Sequence, residues 1–215
     1  MNGDGFKRIV FCDFDGTITV EETFVAMLGK FAPEKMREFT VKFAENKTTL
    51  REGVRKVVES IPSREYARMV EFIRDREIRR GFLEFLKFLR ERNTPFVVIS
   101  GGLLDSVRTR LAPFGDCIHA VYAAEVETDG EFLRVISPFE EGDALVSKVR
   151  VMSRYEYDES AVIGDGATDH EMAMNSSIVF ARDRLAEFMA KKEKRFVPWN
   201  DFFDIKNYLA QNWKI

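Results

Sequence analysis

The chain has 215 residues, 45% of them hydrophobic and 32% charged, the profile of a water-soluble globular protein of one domain or one domain plus a small insertion. A formal net charge of −3 leaves no basic surplus to neutralise phosphates, which argues against nucleic-acid binding. No basic-then-apolar leader and no apolar run near the ~18 residues of a membrane span is present, and Cys12 and Cys117 read as reduced thiols, so a cytoplasmic protein is expected.

Residues 7–13 read as a buried strand that runs into Asp13-Phe14-Asp15-Gly16-Thr17. Side chains at i and i+2 of a strand share a side, so Asp13 and Asp15 face one way and Phe14 turns inward. Gly16 lets the chain bend sharply away. Two carboxylates so close repel unless a cation sits beside them, and hard oxygen ligands suit Mg²⁺. A strand end with solvated aspartates is the plain alternative.

Over residues 21–80 helical periodicity replaces the strand signal. Phe24, Met27, Leu28 and Phe31 share one face, and Pro33 opens a second helix with Met36, Phe39 and Phe43 aligned. Thr48 or Thr49 caps a third helix carrying Leu50, Val54, Val57 and Val58. After Pro62-Ser63 a fourth carries Tyr66, Val70, Ile73 and Glu77. A helical block directly after the acidic strand reads as a cap domain of residues 21–80 inserted into a core of residues 1–20 and 81–215.

Gly81 marks the return to that core. Phe82, Phe85, Leu86 and Leu89 follow helical spacing, and Phe96-Val97-Val98-Ile99 is a continuous apolar run that stops at Ser100-Gly101-Gly102. A helix is expected over 104–111, a hairpin around Asp129-Gly130, and a helix over 144–153 carrying Lys148. Ala161-Val162-Ile163 is a short strand ending at Gly164-Asp165-Gly166. A helix over 169–175, strands over 178–180 and 196–198 and a C-terminal helix complete the chain, and the aromatic tail is expected to cover the sheet edge. Strands alternating with helices imply parallel βαβ units, hence an α/β, Rossmann-like fold with a central parallel sheet.

Open α/β sheets place ligands at the carboxyl ends of their strands. Three such ends carry Asp13-x-Asp15-Gly-Thr, Ser100-Gly101-Gly102 and Gly164-Asp165-Gly166-x-x-Asp169, and Lys148 adds a cation. Acids, a hydroxyl, a lysine and free backbone N–H groups are what phosphoryl transfer needs. Taken alone, Lys148 reads as a surface lysine and Glu22 as a first-turn acid at a helix start. His119 and His170 read as structural or exposed.

The order and identity of these pieces resemble the haloacid dehalogenase superfamily, whose four motifs would span residues 13 to 169. The resemblance implies a Mg²⁺-dependent phosphomonoesterase working through an aspartyl-phosphate. Asp13 would be the nucleophile, and Asp15 the group that protonates the leaving oxygen and then activates water. Lys148 would neutralise Asp13 and the phosphate. Ser100 and the N–H of Gly101, beside Gly102, would hold phosphoryl oxygens, with Thr17 supporting the turn and the acid. Mg²⁺ would be held by Asp13, Asp15 (through its carbonyl) and Asp165, with Asp169 orienting waters or Lys148. An Asp at position 15 resembles the superfamily's phosphatases rather than its dehalogenases or ATPases.

Residues 12–19, Phe31-Ala32-Pro33, Arg51-Glu52-Gly53-Val54, residues 95–102, Phe180-Ala181-Arg182-Asp183 and Asp201-Phe202-Phe203 further resemble the branch that dephosphorylates 2-hydroxy-3-keto-5-methylthiopentenyl 1-phosphate in methionine salvage. On that reading Met27, Leu28 and Phe31 either line a methylthio pocket or pack the cap. The length of the insert and Gly166 are similar to the phosphoserine-phosphatase branch. There Glu22 would take the substrate ammonium, and the arginine for its carboxylate would fall at Val57, beside Arg55 and Lys56. Phosphoserine, phosphoethanolamine or phosphocholine are thus alternative substrates, and a non-catalytic phosphate sensor is the alternative of another class. The chain is expected to act as a monomer or homodimer on a small phosphorylated metabolite, away from nucleic acid and membrane.

Overall fold

The computed structural model describes residues 5–213. Its centre is β1 (Phe6–Cys12), whose last four residues, Ile9 to Cys12, are completely buried. Such a strand must be covered on both faces, as in a parallel sheet. It pairs in parallel with β2 (Phe96–Leu103) on one side, Val10 opposite Phe96, and with β5 (Tyr157–Gly164) on the other, Phe11 opposite Val162. With β3 (Ala120–Glu127), β4 (Arg134–Ile136), β6 (Ile178–Ala181) and β7 (Val197–Pro198) the sheet runs β4-β3-β2-β1-β5-β6-β7, antiparallel only between β3 and β4. The winding reverses at β1, so the ends of β2, β1 and β5 lie side by side where such sheets open a crevice.

Between β1 and β2 the chain forms α1 (Thr23–Phe31), α2 (Pro33–Ala44), α3 (Leu50–Val58) and α4 (Tyr66–Ile73). Pro33 at the first turn of α2 gives up no hydrogen bond there, and the Thr49 hydroxyl accepts from the N–H of Glu52 at 3.2 Å to cap α3. Met27, Leu28, Val57, Val58, Ile61, Met69 and Ile73 form the buried centre of this insert. Its two connections to the sheet pair with each other: the N–H of Val20 bonds the Glu77 carbonyl at 3.0 Å, and that of Arg79 the Ile18 carbonyl at 2.9 Å. On its far side the insert is stitched to the 131–143 region. The N–H of Arg51 donates to the carbonyl of Asp143 (3.1 Å), that of Ser63 to Glu131 (2.9 Å), and that of Leu133 to Ile61 (3.0 Å).

The remaining helices are α5 (Phe82–Arg90), α6 (Leu104–Leu111), α7 (Lys148–Met152), α8 (His170–Met174), α9 (Asp183–Lys191) and α10 (Phe202–Asn212). Phe202 on α10 meets Phe82 and Phe85 on α5 at ring-centre distances of 5.0 and 5.5 Å. Within the aromatic tail, Phe202 therefore packs on a helix that covers the sheet face, while Val197–Pro198 forms the edge strand β7.

Several elements differ from the sequence reading. The fourth insert helix stops at Ile73 because Arg74-Asp75-Arg76-Glu77 offers nothing apolar to bury and the Glu77 carbonyl is committed to Val20. Strand β2 continues through Ser100-Gly101-Gly102, with a register shift between Ile99 and Leu103. Pairing of β3 with β4 closes at Glu127 opposite Arg134, so Asp129-Gly130 lies in a longer loop whose Glu131 and Phe132 join the insert instead. Helix α7 starts at Lys148, not 144, because residues 141–144 close a tight turn and Ser147 caps the helix. The expected helix over 169–175 is a 3-10 turn, Ala167–Asp169, followed by α8. Helix α9, with Leu185 and Met189 buried, was not read from the sequence at all.

Candidate active site

Asp13 follows the last residue of β1 and is 6% exposed, its N–H tied to the carbonyl of Ile163 on β5 at 3.0 Å. The chain leaves the strand through Gly16, whose φ of +76° favours glycine. A Cβ there would also stand 2.6 Å from Oδ2 of Asp165, so the two motifs touch only because position 16 has no side chain.

Asp13, Asp165 and Asp169 form one cluster, with an oxygen from each within 4.8 Å of the others. Lys148, at the start of α7 and 4% exposed, reaches into it and donates to Oδ1 of Asp13 and, at 2.5 Å, to Oδ1 of Asp169. The other oxygen of Asp169 accepts from the N–H groups of Asp165 (3.0 Å) and Gly166 (2.9 Å). The Thr17 hydroxyl donates to Oδ1 of Asp165 at 2.7 Å. Among the described residues this leaves Oδ2 of Asp13 and Oδ2 of Asp165 without a hydrogen-bond donor. Two free carboxylate oxygens among three buried acids and one lysine are a donor set that fits a hard divalent cation such as Mg²⁺.

The carboxylate of Asp15 is not part of this cluster. Its Oδ1 accepts from the hydroxyl of Thr23 and, at 2.9 Å, from the N–H of Phe24, both in the first turn of α1; Oδ2 accepts from Ser100 at 3.3 Å. Any part Asp15 takes in holding a cation is therefore left to its carbonyl.

Burial raises the Asp13 carboxyl well above the usual carboxylate range, against the pull of Lys148 and with Asp169 and Asp165 adding to the rise. Burial likewise raises Asp15, opposed by Thr23, Phe24 and Ser100, and raises Asp165, opposed by Thr17. For Lys148, burial disfavours the charge, but Asp13 and Asp169 outweigh it and the ammonium is held above its ordinary range. Three carboxylates against one ammonium make the site a crowded anionic centre two positive charges short of balance.

A cavity of about 530 Å³ opens above these groups. Asp13, Asp15, Lys148, Asp165, Gly101, Gly102 and Glu22 line its polar end. Phe24, Leu28, Met36, Phe39, Leu50 and Val54 from the insert face it, with Leu145 and Val146 from the segment before α7. Glu22 is exposed at the mouth, yet partial burial and the charges of Asp165, Asp15 and Asp169 push its carboxyl up to about 7, with Arg184 opposing.

The structure thus brings together Asp13, Asp15, Lys148, Asp165, Asp169, Gly101, Gly102 and Glu22. Ser100, expected on the phosphate, and Thr17, expected to support the turn and the acid, do not line the cavity. Thr17 is completely buried beneath Asp165, and Ser100 is completely buried, donating to Asp15 and accepting from the N–H of Gly102 at 2.9 Å. Of the residues considered for a methylthio pocket, only Leu28 lines the cavity; Met27 is fully buried in the insert, and Phe31 packs edge-on against Phe72.

The sequence reading missed Thr23 and Phe24 as partners of Asp15, and Arg79, whose guanidinium donates to the carbonyls of Gly16 (2.6 Å) and Thr17 (2.9 Å). A Thr-Phe pair opening a helix immediately after Glu22 was the available signal for the first two. Nothing in the local sequence marks Arg79. His170 borders the cavity but stacks flat on Phe188 at 3.6 Å, in keeping with a packing role.

A family model described as haloacid dehalogenase-like hydrolase matches residues 10–174. A protein of Microcystis aeruginosa (strain NIES-843 / IAM M-2473) named 2-hydroxy-3-keto-5-methylthiopentenyl-1-phosphate phosphatase is 43% identical over 205 residues, covering 94% of this chain and 98% of that one. A Bacillus cereus (strain B4264) protein of the same name is 33% identical over 206 residues, covering 92% and 93%. Among solved structures, a phosphoserine phosphatase from T. onnurineus superposes with a TM-score of 0.70 at 17% identity over 97% of both chains.

Proposed function

The chain belongs to the haloacid dehalogenase-like hydrolases, and on that premise we propose that it is a Mg²⁺-dependent phosphomonoesterase acting through an aspartyl-phosphate on 2-hydroxy-3-keto-5-methylthiopentenyl 1-phosphate. The observation that carries the choice of substrate is the cavity wall. Among its described lining residues Lys148 is the single Lys or Arg, and it is already bonded to Asp13 and Asp169. Among the described lining residues no cation is left for the carboxylate of phosphoserine. Val57, where that cation would fall, is 1% exposed in the centre of the insert, and Arg55 is paired with Glu59 and Glu140 and bonded to the Val135 carbonyl. An apolar wall beside a phosphate site suits a methylthioalkyl tail. The names of the two relatives point the same way.

In this reading Asp13 attacks the phosphorus, the bond to the substrate's C1 oxygen breaks, and Asp15 supplies the proton that oxygen takes. Asp15, now a carboxylate, removes a proton from the water that attacks the phosphoaspartate, which restores Asp13, releases phosphate and reprotonates Asp15. Lys148 offsets the charge of Asp13 and the phosphoryl group, and the N–H of Gly101 is a donor for its oxygens. Asp13, Asp165 and the Asp15 carbonyl would hold Mg²⁺, with Asp169 orienting the set, and the bound cation would lower the repulsion between an anionic phosphate and the acids that must approach it. The insert of residues 21–80 acts as a cap over the core of residues 1–20 and 81–215 and keeps bulk water from the transfer.

Phosphate release with and without Mg²⁺ tests this across one panel: the salvage compound, phosphoserine, phosphoethanolamine, phosphocholine and an aryl phosphate. Preference for the salvage compound supports the proposal. Preference for phosphoserine, whose ammonium Glu22 is placed to receive, overturns the substrate; no Mg²⁺-dependent release from any member overturns the enzyme.

A further inference from the structure

We propose that the apolar end of the cavity is a closed-bottomed subsite for an unbranched alkyl or thioether tail, and that the contact between Gly53 and Phe39 sets its depth. The inference rests on the phosphatase reading for the identity of the polar end, and goes beyond it in assigning the residues that measure the tail.

The subsite is built from three helices of the insert and one segment of the core. Phe24 and Leu28 come from α1, Met36 and Phe39 from α2, and Leu50 and Val54 from α3, while Ala144, Leu145 and Val146 close it from the sheet side. The wall contributed by the insert holds no charge or hydroxyl beyond Glu22 at the mouth. A phosphorylated head fixed at Asp13 and Lys148 would therefore meet carbon and sulfur atoms along the insert's side of the cavity, while Glu141, Asp143, Thr168, His170 and Glu171 line it from the core.

Phe39 is the residue of α2 that is buried, at 9% exposure, and its ring lies directly on the backbone of α3 at Gly53. A Cβ at position 53 would overlap Cδ2 and Cε2 of that ring and stand 3.1 Å from its Cγ. Glycine in a helix interior costs stability relative to alanine. Here it lets an aromatic ring lie against the helix instead of standing out into the cavity. Any side chain at 53 must displace the ring, and because Phe39 lines the cavity, displacement shortens the space open to a tail. Phe43, whose ring centre lies 5.5 Å from that of Phe39, is half exposed.

The test is the affinity of a series of n-alkylphosphonates, from methyl to hexyl, measured by calorimetry in the presence of Mg²⁺. Binding is read directly, so the result is independent of turnover. The wild-type dissociation constant is expected to fall by about threefold to fourfold per added methylene until the tail meets the end of the subsite. Gly53→Ala is expected to leave methylphosphonate binding unchanged and to flatten the dependence at a shorter tail. Phe39→Leu should extend it to a longer one. In a Phe39→Ala background, Gly53→Ala should have no further effect on the profile, a silence that a general loss of helix packing would not produce.

An affinity independent of tail length in the wild type overturns the inference. So does a Gly53→Ala variant that weakens all members alike, or one whose effect persists without the Phe39 ring. If phosphonates show no length dependence while the salvage compound is still hydrolysed, the subsite falls and the phosphatase reading stands. If the length dependence is present but no phosphate ester is turned over, the phosphatase reading falls and the measured tail subsite remains.

Discussion

The N–H of Phe24 donates to Oδ1 of Asp15 across 2.9 Å, and the hydroxyl of Thr23 donates to the same oxygen. Both donors belong to the first turn of α1, where backbone N–H groups lack intrahelical partners and favour a negative charge. The proposed proton donor is thus held by the insert, not by the strand that carries it.

Thr23→Val removes one of these donors and leaves the helix. A hydrogen bond to a charged group contributes roughly 1.5–3 kcal/mol, so kcat should fall by about tenfold or more with KM little changed. Thr23 holds the Asp15 carboxyl down against burial, so its loss raises Asp15 further. The limb of the pH–rate profile that reports Asp15 should move to higher pH, and an unmoved limb would separate Asp15 from that titration.

Thr17→Val tests a different support. Thr17 is fully buried and bonds Asp165 at 2.7 Å, orienting the oxygen left free for a cation. Losing a partner of this kind weakens metal binding by about 10–100-fold. The variant should need correspondingly more Mg²⁺ for half-maximal activity and reach near-normal turnover at saturation.

How much of this was legible in the sequence follows the range of each interaction. Asp13, Asp15, Ser100 and Asp165 were readable because each sits at or just past the end of an apolar run, and a buried strand announces its own end; Asp169 was readable from its spacing after Asp165. The four insert helices were readable from their apolar spacing and from Pro33 and Thr49. What failed was long-range. The hairpin around Asp129-Gly130 is present, β3 pairing antiparallel with β4, but its loop is longer than a tight turn because Glu131 and Phe132 found partners in the insert, about 70 residues earlier. The bond of Arg79 to Gly16 and Thr17 and the contact of Phe39 with Gly53 leave no local pattern. The place of Ser100 at a strand end is local and readable, while its hydrogen bond to Asp15 spans 85 residues and leaves no local pattern.

Asp13→Asn should abolish turnover, since the amide is no nucleophile, yet leave the fold intact or more stable without metal, because one of three mutually repelling buried carboxylates is gone. Lys148→Met should do the reverse to stability. Removing one partner of a buried ion pair costs about 3–5 kcal/mol, and here it leaves Asp13 and Asp169 unopposed. Thermal melts in chelator and in excess Mg²⁺ check both, with Mg²⁺ expected to recover part of the Lys148→Met loss and chelation expected to lower the wild-type midpoint.

Glu22 gives a pH dependence with a defined sign. Its carboxyl is raised from an ordinary 4.5 to about 7, so the folded, metal-free protein binds its proton more tightly than the unfolded chain. The favourable contribution of the protonated form is complete below pH 4.5 and is lost as pH rises through 7. Glu22→Gln should match the wild type at pH 4.5 and exceed it at pH 8. Solvent screening at the open cavity mouth limits the gain to about 1 kcal/mol or less, some 2–4 °C in Tm for a chain of this size. Saturating Mg²⁺ should shrink the difference, because a bound cation offsets the acids that raise Glu22.

Arg79 joins the return segment of the insert to the loop after β1. It donates to the carbonyls of Gly16 and Thr17 while its guanidinium stands over the ring of Trp199 at 5.3 Å. Burial lowers its guanidinium from the usual range, yet it stays charged throughout the working pH. Arg79→Ala leaves two carbonyls of the nucleophile loop without this donor and frees one side of the hinge formed by residues 18–20 and 77–79. The expected result is faster protease cleavage within 74–80 and a lower kcat that Arg79→Lys restores only in part, since a lysine cannot span both carbonyls with a planar fork. A phosphate mimic should slow that cleavage in the wild type by favouring the closed insert, and less so in Arg79→Ala. Equal protection in both proteins would show that the hinge and the loop after β1 move independently.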